Sequence, residues 1–204
     1  MTVSEIENVI HSARNSFGER DFQTAVDTFY KATKLAPSDY RGHEGLGLAL
    51  ISAGRPKEAR EALLKAVELN PTDADVHFGL GLAAEQMGDR SGAIEHIARA
   101  HELRPEHVPI RESLILMCVN YAELLMDEGN VEWAKCYIDK ALEADHTSPD
   151  AAYAAIRYHA RLGDYDEAKR IFRFIEEHKP DSPGLLEIKE EIGLAKQKER
   201  GWLY

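Results

Sequence analysis

The stretch EGLGLALISAGR, residues 44–55, decides the fold because FGLGLAAEQMGD, residues 78–89, repeats its pattern 34 positions later. By itself, Gly79-x-Gly81-x-x-Ala84 is close to the glycine fingerprint that binds a dinucleotide pyrophosphate. That fingerprint requires a β-strand before it, a helix that opens on it and an acidic residue about 20 positions later. The preceding NPTDADVH is instead typical of a turn and a helix start. A pattern that recurs at a fixed spacing indicates a structural repeat.

Turns and alanines mark the same period along the chain. The segments LAPSD, LNPTD and LRPEH begin at Leu35, Leu69 and Leu103, each 34 residues after the last. Each copy also has a turn in its middle, and an alanine follows that turn at the same place in every copy: Ala25, Ala59, Ala93, Ala134 and Ala168. Between the turns, apolar residues recur at i, i+3, i+4 and i+7, and nothing alternates with period two. The chain is therefore predicted to consist of consecutive pairs of amphipathic α-helices.

The pattern resembles the tetratricopeptide repeat, a 34-residue helix–turn–helix with small residues where the helices cross and a proline after the second helix. The second copy carries the resemblance at Leu46-Gly47, Gly54, Ala59, Leu63, Ala66 and Pro71, and the third at Leu80-Gly81, Gly88, Ala93, Ile97, Ala100 and Pro105. The resemblance implies an all-α fold, a right-handed α-solenoid of helix–turn–helix repeats with a C-terminal capping helix. Because a glycine within a helix costs about 0.5–1 kcal/mol relative to alanine, we expect Gly47 and Gly81 to lie at helix crossings.

The predicted organisation is a single solenoid domain over residues 1–204. Its repeats span about 6–39, 40–73, 74–107, 108–148 and 149–182, followed by a capping helix at 183–200 and an aromatic tail at 201–204. The fourth copy has seven extra residues, VPIRESL, which amount to nearly two helical turns and predict one long first helix, about 109–128; the alternative is a longer loop before an ordinary helix. The residues expected to cover the last repeat are Leu185, Leu186, Ile188 and Ile192. The tail is expected to fold back on the capping helix, to dock on a second copy or to bind a partner.

Composition limits the function. The 204-residue chain carries 36 acidic and 25 basic side chains, a net charge of −11, so nucleic acid and anionic membrane surfaces are not expected partners. No apolar run approaches the ~18 residues of a membrane-spanning helix, and the acidic start MTVSEIENVI lacks the features of a signal peptide. We therefore expect a cytoplasmic protein without membrane insertion. Cys118 and Cys136 lack metal-ligand spacing and are predicted to be buried or half-buried free thiols.

The resemblance also implies where a partner binds. In the family, the second, fifth, ninth and twelfth residues of each first helix point into a concave groove. Carried onto this sequence, the partner-binding groove is predicted to contain Ile10, Arg14, Phe17, Arg41, Glu44, Leu48, Ile51, Phe78, Leu82, Glu85, Val119, Glu123, Met126, Tyr153 and Arg157. The alternative is that some of the apolar members pack between repeats. Gly45 and Gly79, one position further round, either form a smooth trough for a partner backbone or reflect repeat duplication alone.

A groove with an apolar floor and charges along it fits a peptide or an amphipathic helix with apolar anchors and some basic residues. The family's clamp for acidic chaperone tails is not reproduced, because Ile10 and Arg14 stand where a lysine and an asparagine are expected. We therefore predict a non-enzymatic protein-interaction adaptor or scaffold with a protein or peptide partner. The alternative is a structural protein that forms a homo-dimer or a larger assembly through the long fourth-repeat helix and Trp202, Leu203 and Tyr204.

Catalysis, metals and cofactors are not expected. None of the nine histidines has the H-E-x-x-H spacing, and His96, His101 and His107 lie five and six residues apart, off a common helical face. His43 and His77 hold equivalent repeat positions, where we expect structural histidines. The sequence therefore predicts no catalytic, cofactor-binding or metal-binding residue.

Overall fold

The computed structural model describes residues 3–200, with Val3, Ile192 and residues 194–200 described by their backbone alone. Trp202, Leu203 and Tyr204, through which the alternative interpretation has the chain self-associate, lie outside the described residues. Within the described range all regular structure is α-helical, and no helix there combines the length and hydropathy that a bilayer crossing requires. The helices are α1 (Val3–Gly18), α2 (Phe22–Leu35), α3 (Tyr40–Ser52), α4 (Pro56–Leu69), α5 (Ala74–Gln86), α6 (Arg90–Leu103), α7 (Val108–Asp127), α8 (Val131–Ala144), α9 (Pro149–Arg161), α10 (Tyr165–His178) and α11 (Leu185–Arg200).

The turn inside each helix pair contains one residue in the left-handed backbone region. Glycine fills this position in four copies, with φ of 72°, 81°, 83° and 77° at Gly54, Gly88, Gly129 and Gly163. The first copy has Arg20 there, with φ of 62°. An aspartate then begins the second helix in three copies, because the side chains of Asp21, Asp89 and Asp164 accept a hydrogen bond from the backbone N–H three residues later. Local sequence therefore determines where each hairpin turns.

The chain forms two compact units, which we describe separately as unit 1 (Met1–Ile110) and unit 2 (Arg111–Tyr204). In unit 1 the hairpins α1–α2, α3–α4 and α5–α6 stack in chain order, and the first helices α1, α3 and α5 contact one another in turn. A Cβ on Gly47 would lie 2.4 Å from Cγ of Leu63, and one on Gly81 would lie 2.3 Å from Cγ1 of Ile97. The prediction that these two glycines lie at helix crossings is confirmed.

In unit 2, α9 contacts α8, α10 and α11, and α10 contacts α11. The core of these helices consists of Ala152, Tyr153, Ile156, Ala168, Phe172, Ile175 and Ile188. Ile188 of α11 is 1% exposed, and Leu185 packs against the same core, whereas Leu186 is 77% exposed. The prediction that Leu186 covers the last repeat is wrong. Consecutive helix residues are rotated by about 100°, so Leu186 lies on a different side of α11 from Ile188.

The fourth copy begins with one continuous helix of 20 residues, α7. Its additional residues therefore lengthen a helix and do not form a loop. The ring of Tyr121 in α7 packs against that of Tyr137 in α8, with 4.8 Å between the centroids. Cys118 is buried and Cys136 is exposed, and both are free thiols. The prediction of a buried or half-buried thiol is therefore wrong for Cys136.

Candidate functional site

Unit 1 has a small apolar cavity on its inner face, by which we mean the surface formed by the first helices α1, α3 and α5. The cavity has a volume of about 100 Å³ and is lined by Arg14, Phe17, Phe29, Glu44, Gly45 and Leu48. Phe17 and Leu48 are partly exposed, so their apolar surface is available to a partner. The space suits one apolar side chain with a charged group beside it. Four of the lining residues, Arg14, Phe17, Glu44 and Leu48, belong to the predicted groove.

Gly45 and Gly79 shape this face through contacts inside the protein. A Cβ on Gly45 would lie 2.1 Å from Cε1 of Phe29, so the glycine lets that ring pass beneath α3 into the cavity wall. A Cβ on Gly79 would lie 3.1 Å from Leu48 Cδ2 and 3.1 Å from Leu63 Cδ1. The protein's own side chains therefore occupy the space that these glycines leave. A trough for a partner backbone, one of the two alternatives from the sequence, does not form at these positions.

The inner face continues onto α5. Leu82 packs partly buried against the unit 1 core, Phe78 is half-buried, and Glu85 is exposed. We define the unit 1 groove as Arg14, Phe17, Glu44, Leu48, Phe78 and Leu82. It combines four part-exposed apolar side chains with one cation and one carboxylate.

Three carboxylates converge beside the groove. Ligand oxygens of Glu44, Asp73 and Asp75 all lie within 4.8 Å of one another. Arg104 donates to both carboxylate oxygens of Asp75, at 2.9 and 3.0 Å, but Glu44 has no hydrogen bond or ion pair with any described residue. Burial, followed by the charges of Asp73 and Asp75, raises the pKa of Glu44 to about 7, against the opposing charges of Arg14 and Arg104. Surface carboxylates of this kind are common without a bound ion, and we assign no metal to them.

Some predicted groove residues of unit 1 are not available to a partner. Ile10 and Ile51 are buried in the hydrophobic core, because the neighbouring helix covers the side on which they lie. Arg41 pairs with Glu7 of the preceding repeat, 2.7 Å between Nη2 and Oε1, and with Asp39 at 2.7 Å. The prediction is therefore wrong for Ile10 and Ile51 as floor residues. Arg41 forms an ion-pair network within the protein.

The inner face of unit 2, formed by α7, α9 and α11, is different. Its predicted apolar groove residues Val119, Met126 and Tyr153 are buried, so the expectation that they form an exposed floor is wrong. The ring of Tyr153 packs against Gly184, the residue before α11, where an added Cβ would lie 3.2 Å from it. The helices approach closely enough here that these side chains fill the space between repeats.

Charges on the inner face of unit 2 form a ladder of ion pairs. Arg157 Nη1 lies 2.7 Å from Glu123 Oε1, and Arg157 Nε lies 3.3 Å from Glu191 Oε2. Arg161 Nη1 lies 3.0 Å from Asp127 Oδ1. These five residues, with Met126 and Ala160, line a cavity of about 470 Å³. Glu123 and Arg157, two predicted groove residues, thus neutralise each other across neighbouring repeats.

Family models match the segments in which the repeat was recognised. A TPR repeat model matches residues 47–88, and tetratricopeptide repeat models match residues 74–107 and 149–173. The chain therefore contains tetratricopeptide repeats in residues 47–107 and 149–173. Tetratricopeptide repeats generally serve protein interaction and carry no catalytic activity. No curated protein matches the sequence.

Solved structures show the same fold. YrrB, described as a TPR protein with an unusual peptide-binding site, is 21% identical over 89% of this chain and 90% of its own, with a TM-score of 0.62. MamA is 22% identical over 87% of this chain and 95% of its own, with a TM-score of 0.64. A tetratricopeptide repeat protein from Parabacteroides merdae is 21% identical over 96% of this chain and 75% of its own, with a TM-score of 0.64. The shared architecture is an all-α solenoid of helical hairpins.

The tetratricopeptide repeats also explain two histidines. Nε2 of His43 lies 3.0 Å from the carbonyl oxygen of Pro37, and Nε2 of His77 lies 3.1 Å from that of Pro71. Each imidazole N–H donates to the turn before its own helix, so both histidines have the structural role that we expect from their repeat position.

Sequence reasoning missed two residues of the site, Phe29 and Asp73. Both lie outside the four first-helix positions that the family resemblance supplies. Phe29 is on α2, and the signal for it is Gly45, which leaves room for a ring from the preceding repeat. Asp73 is the N-cap of α5, and its side chain accepts hydrogen bonds from the N–H groups of Asp75 and Val76. That capping role places its carboxylate beside Glu44.

Proposed function

We propose that this tetratricopeptide repeat protein is a non-enzymatic adaptor whose unit 1 groove binds a peptide or amphipathic helix of another protein. The occupant carries apolar anchors and at least one lysine or arginine. The observation that carries the proposal is the pairing of an apolar cavity, walled by Phe17, Phe29 and Leu48, with the unpaired carboxylate of Glu44.

The apolar part of the groove supplies affinity. Burial of an aliphatic or aromatic side chain contributes about 1.5–3 kcal/mol. One anchor enters the cavity beside Leu48, and others cover Phe78 and Leu82 on α5. Because ordering of the bound segment offsets part of this gain, three anchors correspond to a dissociation constant of order micromolar. The peptide-binding site described for YrrB, which shares the fold, supports a peptide as the class of occupant.

The carboxylates supply specificity. The pKa of Glu44 is raised to about 7 by burial and by Asp73 and Asp75, so its protonated form is populated near neutral pH. A partner ammonium or guanidinium placed beside Glu44 favours the ionised carboxylate. Binding therefore releases protons near pH 7. An acidic segment meets like charge at the same place and is rejected.

A peptide selection tests this proposal. A random 12-residue peptide display library is selected on the full chain, and enriched peptides are synthesised for isothermal titration calorimetry. We expect peptides that combine apolar residues with lysine or arginine. We also expect binding enthalpies that vary with the ionisation enthalpy of the buffer, as proton release requires.

Two groove variants and one matched control complete the test. Leu48→Glu and Glu44→Gln are expected to weaken binding at least tenfold and about threefold, respectively. Leu64→Glu, on the outer side of α4 and 42% exposed, is the control and should bind as the wild type does. Enrichment of acidic peptides, or binding that Leu48→Glu leaves unchanged, would refute the proposal.

Self-assembly is the second candidate, and one observation favours it. The 20-residue helix α7 exposes Leu116, which is 57% accessible. Light scattering after size-exclusion chromatography, on the full chain and on a version that ends at Arg200, measures the mass over a range of concentrations. Mass that rises with concentration and falls on truncation would support assembly through the tail. A constant monomer mass for both would leave the unit 1 groove as the proposed site.

A further inference from the structure

The second helix of the fifth repeat departs from the other copies at two positions. Two residues after the repeat alanine, the first three copies have an acid, whereas the fifth has Arg170; the acids are Asp27, Glu61 and Glu95. Six residues after the same alanine, the other copies have a cation, whereas the fifth has Phe174; the cations are Lys31, Lys65, Arg99 and Lys140. The fifth copy thus replaces an acid by a base and a base by an aromatic ring on one side of α10.

The structure brings these two residues into an apolar groove on unit 2. The groove has a volume of about 410 Å³ and is lined by Leu142, His146, Ala152, Arg170, Ile171 and Phe174. Phe174 is 38% exposed, and its ring stacks on that of His178 with 4.2 Å between the centroids. His178 Nδ1–H also donates to the carbonyl oxygen of Phe174 at 2.8 Å, which restrains this end of α10. Apolar surface is therefore presented to solvent by a fixed part of the helix.

The corresponding groove in unit 1 lacks this character. It lies along α2 and α4, has a volume of about 520 Å³, and includes the acids Asp27, Glu58 and Glu61 together with the cations Lys34, Arg55 and Lys65. Arg55 and Glu58 pair within it at 2.7 Å. Of these two grooves, the one in unit 1 mixes acidic and basic groups, whereas the one in unit 2 is lined by apolar and basic residues without an acid.

We propose that the groove of unit 2, which we call the α8–α10 groove, binds an amphipathic helix whose apolar ridge is flanked by aspartate or glutamate. Charge complementarity determines the choice of partner. None of the six lining residues is acidic, although the chain carries a net charge of −11, and Arg170 and His146 stand among the apolar side chains. An acidic group on the partner therefore meets the guanidinium of Arg170 in the groove that Phe174 lines.

Arg170 is available for such a contact. Its partner within the protein is Glu167, one turn earlier on the same exposed helix surface. Ion pairs of this kind contribute little to stability and exchange readily with solvent. A helix that lays leucines at i, i+3 and i+7 against Phe174, Ile171 and Leu142 places its flanking carboxylates next to the guanidinium.

Two synthetic helical peptides of 18 residues test the proposal with the full chain. They share one leucine ridge, which glutamates flank in one peptide and lysines in the other, and fluorescence anisotropy reports binding. We expect the glutamate peptide to bind the α8–α10 groove and to lose at least tenfold in affinity with Phe174→Lys. That variant restores the residue type of the other copies, so it is expected to fold. Arg170→Glu should weaken the same peptide at least fivefold.

Matched controls separate this groove from the unit 1 groove. Leu64→Lys, at 42% exposure on α4, and Arg173→Glu, an exposed neighbour on α10, should leave the glutamate peptide unaffected. Leu48→Glu should weaken the lysine peptide and not the glutamate peptide, so the two proposals succeed or fail separately. Circular dichroism melts confirm that each variant is folded.

Three outcomes would overturn the proposal. The first is no detectable binding of the glutamate peptide. The second is an equal loss of affinity for that peptide in Phe174→Lys and Leu64→Lys. The third is a mass that rises with concentration in the wild type and not in Phe174→Lys, because a second copy of the chain would then cover the groove.

Discussion

Glu44 in unit 1 and Glu123 in unit 2 both lie on first helices of tetratricopeptide repeats, but their electrostatic surroundings are opposite. Glu44 has two carboxylates as neighbours and no ion pair with a described residue, and its pKa is raised to about 7. Glu123 accepts a hydrogen bond from Arg157 at 2.7 Å, and Arg157 reaches on to Glu191. The same scaffold thus leaves Glu44 without an ion pair on one inner face and pairs Glu123 with a cation on the other.

The comparison distinguishes charges that hold the helices together from a charge that is available to a partner. A ladder of part-exposed ion pairs holds neighbouring helices at a small gain in free energy and offers a partner little. A half-buried carboxylate whose pKa is raised lowers the stability of the folded chain when it ionises, and such groups cluster at functional sites. The apolar side chains differ in the same sense, since Phe17 and Leu48 remain partly exposed in unit 1 whereas Met126 and Tyr153 are buried in unit 2.

The largest effect is expected where unit 1 depends on glycine. Gly47 has Ala122 and Ile156 as its equivalents in unit 2, so the two units place side chains of different size at this position. A Cβ at Gly47 would lie 2.4 Å from Cγ of the buried Leu63, so Gly47→Ala should lower the free energy of unfolding by about 3 kcal/mol in urea titrations. Gly18→Ala is the control, because a Cβ there meets nothing within 4 Å. Equal urea midpoints for the two variants would contradict the close crossing.

The fold was predictable because its determinants are local. Turn glycines, the prolines that follow second helices and the small residues at crossings recur with the repeat, and each has a steric cause that a single sequence displays. Gly47 facing Leu63 is such a case. The long helix α7 was predictable for the same reason, because seven extra residues are nearly two helical turns and continue the apolar stripe of the helix.

The site was predictable only in part, because position within a repeat does not reveal what the neighbouring repeat contributes. The four first-helix positions taken from the family include Leu48 and Glu44, which line the cavity. They also include Ile10, which is buried in the hydrophobic core. The sequence also contains a signal for the ion pairs between successive repeats. Opposite charges stand 34 residues apart at equivalent positions of successive copies in the pairs Glu7–Arg41, Glu123–Arg157 and Asp127–Arg161.

A second prediction concerns pH and Glu44. Its folded pKa of about 7 exceeds the ordinary value of 4.5, so the folded chain binds more protons and loses stability as pH rises through this window. Glu44→Gln removes the loss and should raise the free energy of unfolding at pH 8 by about 1–2 kcal/mol, after allowance for the solvent that reaches the group. At pH 4.5 the difference from the wild type should be small.

Glu123→Gln provides the counterpart in unit 2. It removes a carboxylate from the ladder and should lower stability by less than about 1 kcal/mol at pH 8. Urea titrations at the two pH values compare both variants with the wild type. Destabilisation by Glu44→Gln at pH 8 would mean that the Glu44 carboxylate is compensated, and the contrast between the two inner faces would not hold.

The ladder itself predicts a smaller effect. Arg157 joins two carboxylates, so Arg157→Gln should lower the free energy of unfolding by about 1 kcal/mol. Arg161→Gln should lower the free energy of unfolding by less, because it breaks a single ion pair whose partner, Asp127, is largely exposed. Both losses should shrink when the urea titration is repeated in about 1 M salt, because salt screens the attraction between solvent-exposed charges. A loss at Arg157 that salt leaves unchanged would show that packing of its aliphatic part is responsible.

The smallest expected effect lies in the first turn of unit 1. Arg20 adopts φ of 62°, where the other four copies have glycine. A non-glycine residue in this region costs about 1–2 kcal/mol, whereas glycine loses more chain entropy on folding by about 0.5–1 kcal/mol. Arg20→Gly should therefore raise the free energy of unfolding by about 0.5 kcal/mol in thermal and urea melts. Gly54→Arg should change it in the opposite direction, and the same sign for both would indicate that the arginine side chain, not the backbone, sets the stability of this turn.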